Sequence, residues 1–286
     1  MSKILFVAVF SPTSTNVPQS DGFKKNGYEV IEFNYREIAS KIGNSGRDKL
    51  LVETCFKEKP DAVVFSKCNE IESWVVEECN KVCKTVLWYM DPLNYNFNSS
   101  LKEKINLCTH TFCALQEPLK EAVKIGGNKV QFLHEGYDQL SNYPMEIPYK
   151  YDYCFIGHPR GWRKEYVETL DIPVIQNAYG EDHSRVVSQT KINLNFTEGG
   201  TSDRTYKVLA SKGFLLTEPW DDMEKDFTIG KDLDIFTNIE ELKDKIDFYL
   251  NNDDLRLSIA ENGYNTVKRF DRVRWAKKII EVVEEI

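Results

Sequence analysis

At 286 residues, the chain is long for a single compact core, which predicts two domains of ordinary size. Hydrophobic residues make up 41% of it and aromatic residues 12%, a composition that indicates a globular protein and excludes a disordered one. The formal charge of -8 argues against a surface devoted to nucleic acid, because contacts to phosphate dominate that kind of binding, but it leaves room for a local basic groove.

The cysteines and the apolar runs bear on the compartment. Seven cysteines, odd in number and scattered, predict reduced thiols, and the opening run Met1–Phe10 lacks a signal-peptide cleavage pattern, so we expect a cytoplasmic protein. No stretch reaches the apolar length of a membrane span. Cys79 and Cys83 are one helical turn apart and could share a metal ion, but no second pair of ligands lies nearby, and we predict no metal site.

The first half of the chain alternates apolar runs with helical patterns, as in a parallel sheet covered by helices. The predicted strands are Lys3–Phe10, Tyr28–Tyr35, Asp61–Ser66, Lys84–Tyr89, His110–Leu115 and Lys129–Leu133. Helices are predicted around Phe23–Lys25, at residues 46–58 and at Glu70–Val82. No G-x-G-x-x-G follows the first strand, which removes the main support for a nicotinamide or flavin dinucleotide.

Two polar residues follow strands of this half at the edge where open parallel sheets bind ligands. Asp91 comes directly after the fourth strand and is followed by Pro92, which ends that strand. Such an acid can bond sugar hydroxyls or act as a base, although Asp-Pro is also an ordinary turn. His134 follows the sixth strand beside Glu135 and Gly136, and it has a structural as well as a functional interpretation.

A linker is predicted at Ser141–Tyr151, where two prolines interrupt the periodicity, and the alternation then begins again. The predicted strands of this second half are Asp152–Gly157, Pro173–Asn177, Ile192–Phe196 and Phe214–Thr217, with a short strand within Phe227–Phe236. Its predicted helices are Ser184–Thr190, Asp203–Ser211, Ile239–Leu250, Asp253–Arg269 and Arg272–Ile286. Asp232 and Asp234 resemble a metal-binding acid pair but come too late to serve a first-sheet nucleotide site, and we expect them on the surface.

The stretch Asn193–Trp220 carries the strongest chemical signal. A strand end leads through a glycine loop, Glu198–Ser202, into the predicted helix, and the first turn of a helix offers unpaired N–H groups and the positive end of the dipole. Arg204 and Lys207 are three residues apart and therefore share one helix face. This combination indicates a diphosphate site, while an ordinary turn with solvated cations is the alternative.

The same stretch, with several later segments, resembles a known signature. The matching residues are Leu194–Phe196, Arg204–Glu218, Phe227–Lys231, Leu250–Arg256, Ile259–Ala260 and Asn262–Tyr264. This pattern is similar to the second half of GT-B glycosyltransferases, in particular the CgeB-like spore-maturation group. The resemblance implies an α/β fold with two Rossmann-like parallel-sheet domains facing a cleft, an acceptor-side domain at 1–145 and a donor-side domain at 150–270. It also implies that a last helix, 271–286, crosses back to the first domain and buries Trp275 there.

The resemblance further implies transfer of a sugar from a nucleotide-sugar, here a UDP-sugar, without a metal and with retention at the anomeric carbon. The cations Arg160, Arg204 and Lys207 would neutralise the diphosphate, and Tyr179 would contact the base. The loop that assists them comprises Glu198, Gly199, Gly200, Thr201, Ser202 and Asp203. Asp91 and His134 would face the sugar and the acceptor hydroxyl. The acceptor itself, whether a glycan, a small molecule, a protein or a modified DNA base, stays open.

One departure from the family pattern affects these roles. Retaining members often carry two glutamates separated by seven residues, the second of which binds the ribose, and Lys207 stands at that second position. The ribose contact must then come from elsewhere, or Lys207 has moved to the phosphates. Two alternatives follow, a protein that binds nucleotide-sugars without transferring them and a phage-type DNA glycosyltransferase. The latter would use a basic groove of Lys24, Lys25, Arg36, Lys41, Arg47 and Lys49.

Overall fold

The computed structural model describes residues 2–93, 97–197 and 200–285. The chain divides into two compact units. The first unit is Met1–Glu135 together with Arg272–Ile286, and the second unit is Gly136–Asp271.

The first unit contains a six-stranded sheet in the order β2-β1-β3-β4-β5-β6, in which every pairing is parallel. Its strands are β1 Lys3–Ala8, β2 Glu29–Asn34, β3 Ala62–Ser66, β4 Lys84–Tyr89, β5 His110–Cys113 and β6 Val130–Phe132. The continuous apolar runs predicted a sheet covered on both faces, and the sheet is the centre of two separate apolar clusters, one on each face.

Five helices within the described residues of the first half of the chain accompany this sheet: α1 Asn16–Lys25, α2 Tyr35–Glu58, α3 Ser73–Asn80, α4 Ser99–Leu107 and α5 Gln116–Gly126. Helix α2 begins eleven residues before the predicted start at residue 46, and it is interrupted at Gly43, whose φ is 76°. Helix α3 begins at Ser73 and not at Glu70, and the backbone carbonyls just before it accept hydrogen bonds from a lysine side chain. The buried ammonium of Lys104 donates hydrogen bonds to the carbonyls of Cys68 and Ile71, at 3.0 and 2.7 Å.

The last helix, α11 Arg272–Glu285, packs on the first unit, as predicted. Trp275 is 3% exposed and lies with its ring centroid 5.2 Å from that of Trp88 and 5.5 Å from that of Phe23. Gly22 of α1 permits the close approach, because a Cβ at that position would lie 2.4 Å from the carbonyl oxygen of Arg272. The apolar stripe of α11 therefore completes one face of the first sheet.

The second unit contains a five-stranded parallel sheet in the order β11-β10-β9-β7-β8. Its strands are β7 Tyr151–Ile156, β8 Val174–Ile175, β9 Thr190–Asn195, β10 Leu215–Thr217 and β11 Asp234–Ile235. Its helices are α6 Arg163–Thr169, α7 Glu181–Ser188, α8 Asp203–Ala210, α9 Ile239–Leu250 and α10 Asp253–Val267. The first strand of the unit, β7, has β8 on one side and β9 on the other, so the strand order reverses between β7 and β9.

Asp232 and Asp234 are buried, at 5% and 7% exposure, and the surface position predicted for them is wrong. Asp232 accepts hydrogen bonds from the N–H of Thr228 at 2.8 Å and from the hydroxyl of Thr266 at 3.1 Å. Asp234 accepts one from the hydroxyl of Tyr249 at 2.8 Å. The two acids therefore join β11 and the turn before it to helices α9 and α10.

The remaining compositional expectations concern thiols, metals and membranes. None of the seven cysteines is in a disulfide. Within the described ranges, no group of three or more His, Cys, Asp or Glu residues is arranged to hold a metal ion. The same part of the chain has no helix with both the length and the apolar character needed to cross a bilayer.

Candidate active site

The carboxyl ends of β7 and β9 mark the point in the second sheet where the strand order reverses. In open parallel sheets the connections on either side of such a point leave in opposite directions, and the crevice between them is the usual ligand site. Residues 157–162 follow β7, residues 196–202 follow β9, and Glu218 follows β10. We call this set of loops the carboxyl edge of the second sheet.

Arg204 lies at this reversal point and donates hydrogen bonds to both strands. Its Nε donates to the carbonyl oxygen of Ile156, the last residue of β7, at 2.6 Å. Its Nη1 donates to Oδ1 of Asn195, the last residue of β9, at 2.7 Å. The guanidinium also stacks over the ring of Phe155, 4.7 Å from its centroid. These contacts fix a permanent positive charge in the crevice.

Gly157 makes room for this guanidinium. Its φ is 151°, and a Cβ there would lie 2.7 Å from Nη2 of Arg204 and 2.9 Å from Cζ of Phe155. A side chain at position 157 would therefore displace the arginine from the end of β7.

Asn195 is a site residue that was not singled out from the sequence. It is fully buried, and its amide nitrogen donates to the hydroxyl of Thr217 at 3.1 Å while its oxygen accepts from Arg204. A buried amide at the end of an apolar strand needs partners, and that was the available signal. Here the amide connects β9, β10 and α8.

Lys207 lies one turn after Asp203 on α8 and pairs with it. Its Nζ is 2.5 Å from Oδ2 of Asp203, and the two side chains are 20% and 29% exposed. Arg204 and Lys207 thus share a helix, as predicted, but their partners differ, because the arginine bonds to strand ends and the lysine to a carboxylate of its own helix. The charge of Lys207 is therefore partly compensated.

The loop before α8 is described only in part. Glu198 and Gly199, both predicted to assist the cations, lie outside the described residues. Gly200 and Thr201 are buried, and Ser202 precedes α8 without forming a side-chain cap. The first N–H groups of α8 are thus not capped by the side chain that precedes the helix.

Arg160 and Tyr179 occupy the loops after β7 and β8. Both are exposed, and the Tyr179 hydroxyl lies 3.5 Å from Oδ1 of Asn177. Arg160 follows β7, and Tyr179 follows β8, which pairs with β7 on the side opposite β9. Tyr179 is 48% exposed, which leaves aromatic surface for stacking.

His183 on α7 is buried near the charges of Lys207, Asp203 and Arg204. It is 5% exposed, and its Nδ1 has no hydrogen-bond partner in the described part of the chain. Burial lowers the pKa of its imidazole to about 3, and the positive charge of Lys207 acts in the same direction. His183 is therefore neutral near pH 7.

In the first unit, the reversal of strand order falls between β1 and β3. Asn16 is buried there, and its amide nitrogen donates to the hydroxyl of Ser66 at 2.7 Å. Asp91 lies beyond the end of β4, where Nζ of Lys67 is 2.6 Å from its Oδ2 in an ion pair that lacks the geometry of a directed hydrogen bond. Lys67 has a left-handed backbone, with φ of 65°.

His134 follows β6, so that β5 lies between the strands that lead to Asp91 and to His134. Its ring packs edge-on against Phe132, with 4.7 Å between the centroids. The two polar residues predicted for the first unit thus belong to the same end of one sheet, and each has its own set of neighbours.

A family model described as "Glycosyl transferase-like" matches residues 114–281, which is more than half of the chain. The chain belongs to this glycosyltransferase family. The match covers the whole second unit, including the strand ends that hold Arg204, and extends into α11. A comparison with curated protein sequences finds no significant match.

Solved structures similar to this glycosyltransferase extend over its whole length. HepE of Anabaena in complex with UDP-glucose has a TM-score of 0.70 at 11% identity, with 100% of both chains covered. Sucrose-phosphate synthase of Thermosynechococcus elongatus has a TM-score of 0.72 at 8% identity, with 100% of this chain and 99% of the other covered. A glycosyltransferase from Rickettsia africae has a TM-score of 0.66 at 14% identity, with coverage of 99% and 98%. At these identities the likeness establishes the fold, which is GT-B as predicted.

Proposed function

We propose that this glycosyltransferase moves a hexosyl group from a UDP-sugar to an acceptor hydroxyl. The observation that carries the proposal is the position of Arg204, whose guanidinium is bonded to the ends of both β7 and β9 where the sheet order reverses. The UDP-glucose bound to HepE supports the choice of nucleotide and sugar class. The donor belongs to the second domain, residues 150–270, and the acceptor to the first, residues 1–145.

In the proposed reaction the bond from the anomeric carbon to the diphosphate breaks, a new bond forms to the acceptor oxygen, and the proton of the acceptor hydroxyl is released. Negative charge develops on the leaving UDP, and preorganised cations lower the barrier by neutralising it. Arg204 is the main contributor, and Lys207, Arg160 and the N–H groups of residues 199–203 assist. These protein charges occupy the role that a divalent metal has in other transferases, and we propose that no metal is required.

The remaining roles follow the resemblance to the CgeB-like group, near which we place the chain. Tyr179 stacks on the base, and Asp91 and His134 contact the transferred sugar and the acceptor hydroxyl. Transfer proceeds with retention at the anomeric carbon. The ion pair with Asp203 explains how a lysine is accommodated at position 207, because its charge is held close to a carboxylate on the same helix.

A DNA acceptor has less support in the structure. Of the basic residues that could form a groove, Arg47 is fully buried and Lys24 and Lys41 pair with Glu32 and Glu37. Charges that are buried or compensated contribute little to phosphate binding.

A donor panel tests the proposal. UDP-, GDP-, ADP- and CMP-sugars are titrated into the protein by calorimetry, and slow release of free nucleotide is followed with and without EDTA. We expect binding and hydrolysis of a UDP-sugar that EDTA does not reduce. Binding without nucleotide release, with any acceptor offered, would identify a non-catalytic binding protein, and binding of none of the four would refute the proposal.

A further inference from the structure

Glu218 is a charged residue at the carboxyl edge of the second sheet that none of the roles above uses. It follows β10 directly and is half-buried. Its Oε2 accepts the N–H of Thr197 at 2.7 Å, and its Oε1 accepts the indole N–H of Trp162 at 3.1 Å. Thr197 belongs to the loop after β9 and Trp162 to the loop after β7, so one carboxylate joins the three loops of this edge.

Burial and the nearby charge of Arg163 act in opposite directions on the pKa of the Glu218 carboxyl. Burial raises the pKa of its carboxyl, whereas the bonds from Thr197 and Trp162 and the charge of Arg163 oppose that rise. The guanidinium of Arg163 stacks on Trp162 with 5.0 Å to the ring centroid. A carboxylate is an unsuitable partner for a diphosphate, because like charges repel, but it is a strong acceptor for a neutral hydroxyl.

Within the described residues, the hydrogen bonds that Glu218 makes leave acceptor capacity unused. An ionised carboxylate has about four lone-pair sites on its two oxygens. The hydrogen bonds from Thr197 and Trp162 use one site on each oxygen. A neutral side-chain amide or hydroxyl could also accept a hydrogen bond from one of these loops, and it would avoid the free-energy cost of partly burying the charge of a carboxylate. A ligand bound at this edge can supply the further hydrogen atoms in place of water.

The geometry points to Glu218 as a hydroxyl-binding residue of the donor site, accepting a hydrogen bond from the nucleotide-sugar; this inference rests on the proposed function. The hydroxyl has two sources in such a donor, the ribose and the hexose. Both are neutral, both donate, and both belong to a molecule whose diphosphate we assign to Arg204 at the adjacent strand end.

Calorimetric titration separates the two sources. UDP, 2′-deoxy-UDP, 3′-deoxy-UDP and UDP-glucose are titrated into the wild type, Glu218→Gln and the matched control Glu165→Gln, an exposed glutamate on α6. For a ribose contact, the wild type binds UDP about 10-fold or more tightly than one deoxy nucleotide, and Glu218→Gln loses most of that difference. For a hexose contact, Glu218→Gln instead loses the advantage of UDP-glucose over UDP. The control keeps both differences.

Two results overturn the inference. If Glu218→Gln weakens all four ligands by the same factor, or none of them, Glu218 only holds the loops. If the wild type binds none of the four, the proposed function fails as well, and the two failures are thereby distinguishable. Thermal unfolding of each variant checks folding. Should Glu218→Gln not fold, Glu218→Asp keeps the charge but withdraws it by one methylene, and it must reduce the same discrimination, since unchanged discrimination also refutes the contact.

Discussion

Replacing Arg204 with methionine keeps much of the side-chain length over Phe155 but removes the positive charge from the reversal point of the second sheet. Hydrogen bonds to charged groups contribute about 1.5–3 kcal/mol. A guanidinium that contacts the diphosphate of UDP therefore accounts for about 2.8 kcal/mol at the upper end, which corresponds to about 100-fold in affinity. We expect UDP to bind about 10- to 100-fold more weakly to Arg204→Met, and release of nucleotide from UDP-glucose to slow by about 100-fold or more.

Uridine separates this charge effect from a general loss of structure. Uridine lacks the diphosphate, so its affinity should stay nearly constant in Arg204→Met while that of UDP falls. The substitution also removes the arginine as a donor to the carbonyl of Ile156 and to Oδ1 of Asn195, although the latter also accepts the hydroxyl of Ser202 at 3.5 Å. The loss costs about 1–3 kcal/mol for an acceptor that neither water nor another donor reaches. Urea unfolding measures that cost independently of ligand.

Two further variants make the test specific. Arg204→Lys keeps the charge but cannot bond to both strand ends, and its UDP affinity should lie between those of the wild type and Arg204→Met. Arg185→Met removes an exposed arginine on α7 that pairs with Glu181, and it should bind UDP like the wild type. An unchanged ratio of UDP to uridine affinity in Arg204→Met would show that the guanidinium does not contact the diphosphate.

Three other substitutions probe the second unit and the first. Burial lowers the pKa of His183 from 6.5 to about 3, so the unfolded state binds the extra proton at a higher pH than the folded state. The free energy of unfolding should therefore fall as the pH drops from about 6.5 towards 3, by about 1.4 kcal/mol per pH unit at most. His183→Gln should flatten this slope in urea unfolding. Gly157→Ala should push the Arg204 guanidinium aside and weaken UDP, but not uridine, in calorimetry. Lys104→Met should lower the free energy of unfolding by about 2–5 kcal/mol, because three backbone carbonyls lose their shared donor.

Each of these expectations has its own contradicting result. His158→Gln, at an exposed histidine, serves as the control for His183→Gln, and an equal flattening in both variants would remove the assignment to His183. Uridine affinity that falls in parallel with UDP affinity would mean that Gly157→Ala disturbs the whole unit. Unfolding of Lys104→Met at the wild-type urea midpoint would mean that water replaces the ammonium at the carbonyls of the loop before α3.

The strands were predictable because apolar runs bounded by turn residues define them, and the parallel order followed from the helices between them. The helices were less predictable than the strands. Tyr35 begins α2 with no loop after β2, whereas the predicted helix begins only at residue 46, beyond the interruption at Gly43. Helices α4 and α5 were not predicted, although Asn98 caps the first of them by accepting the N–H of Leu101 at 3.0 Å.

The candidate site could be proposed from the sequence where it depends on local pattern, and not where it depends on strand pairing. The glycine loop and the spacing of Arg204 and Lys207 indicate an anion site from one short stretch. The bond from Arg204 to Ile156 joins residues 48 positions apart, and the one from Trp162 to Glu218 joins residues 56 apart. Such partners meet only because β7, β9 and β10 lie side by side in the sheet, an order that no local pattern specifies.

The position of α11 constrains how the protein can be made. Phe6, Phe23 and Trp88 are synthesised early, but the helix that carries Trp275 over them follows the entire second unit in the chain. During translation, that face of the first sheet therefore stays uncovered until about 136 further residues, Gly136–Asp271, have left the ribosome. The first unit completes its apolar face last, although its sequence comes first, and in the meantime the nascent chain presents an aromatic surface of the kind that chaperones bind.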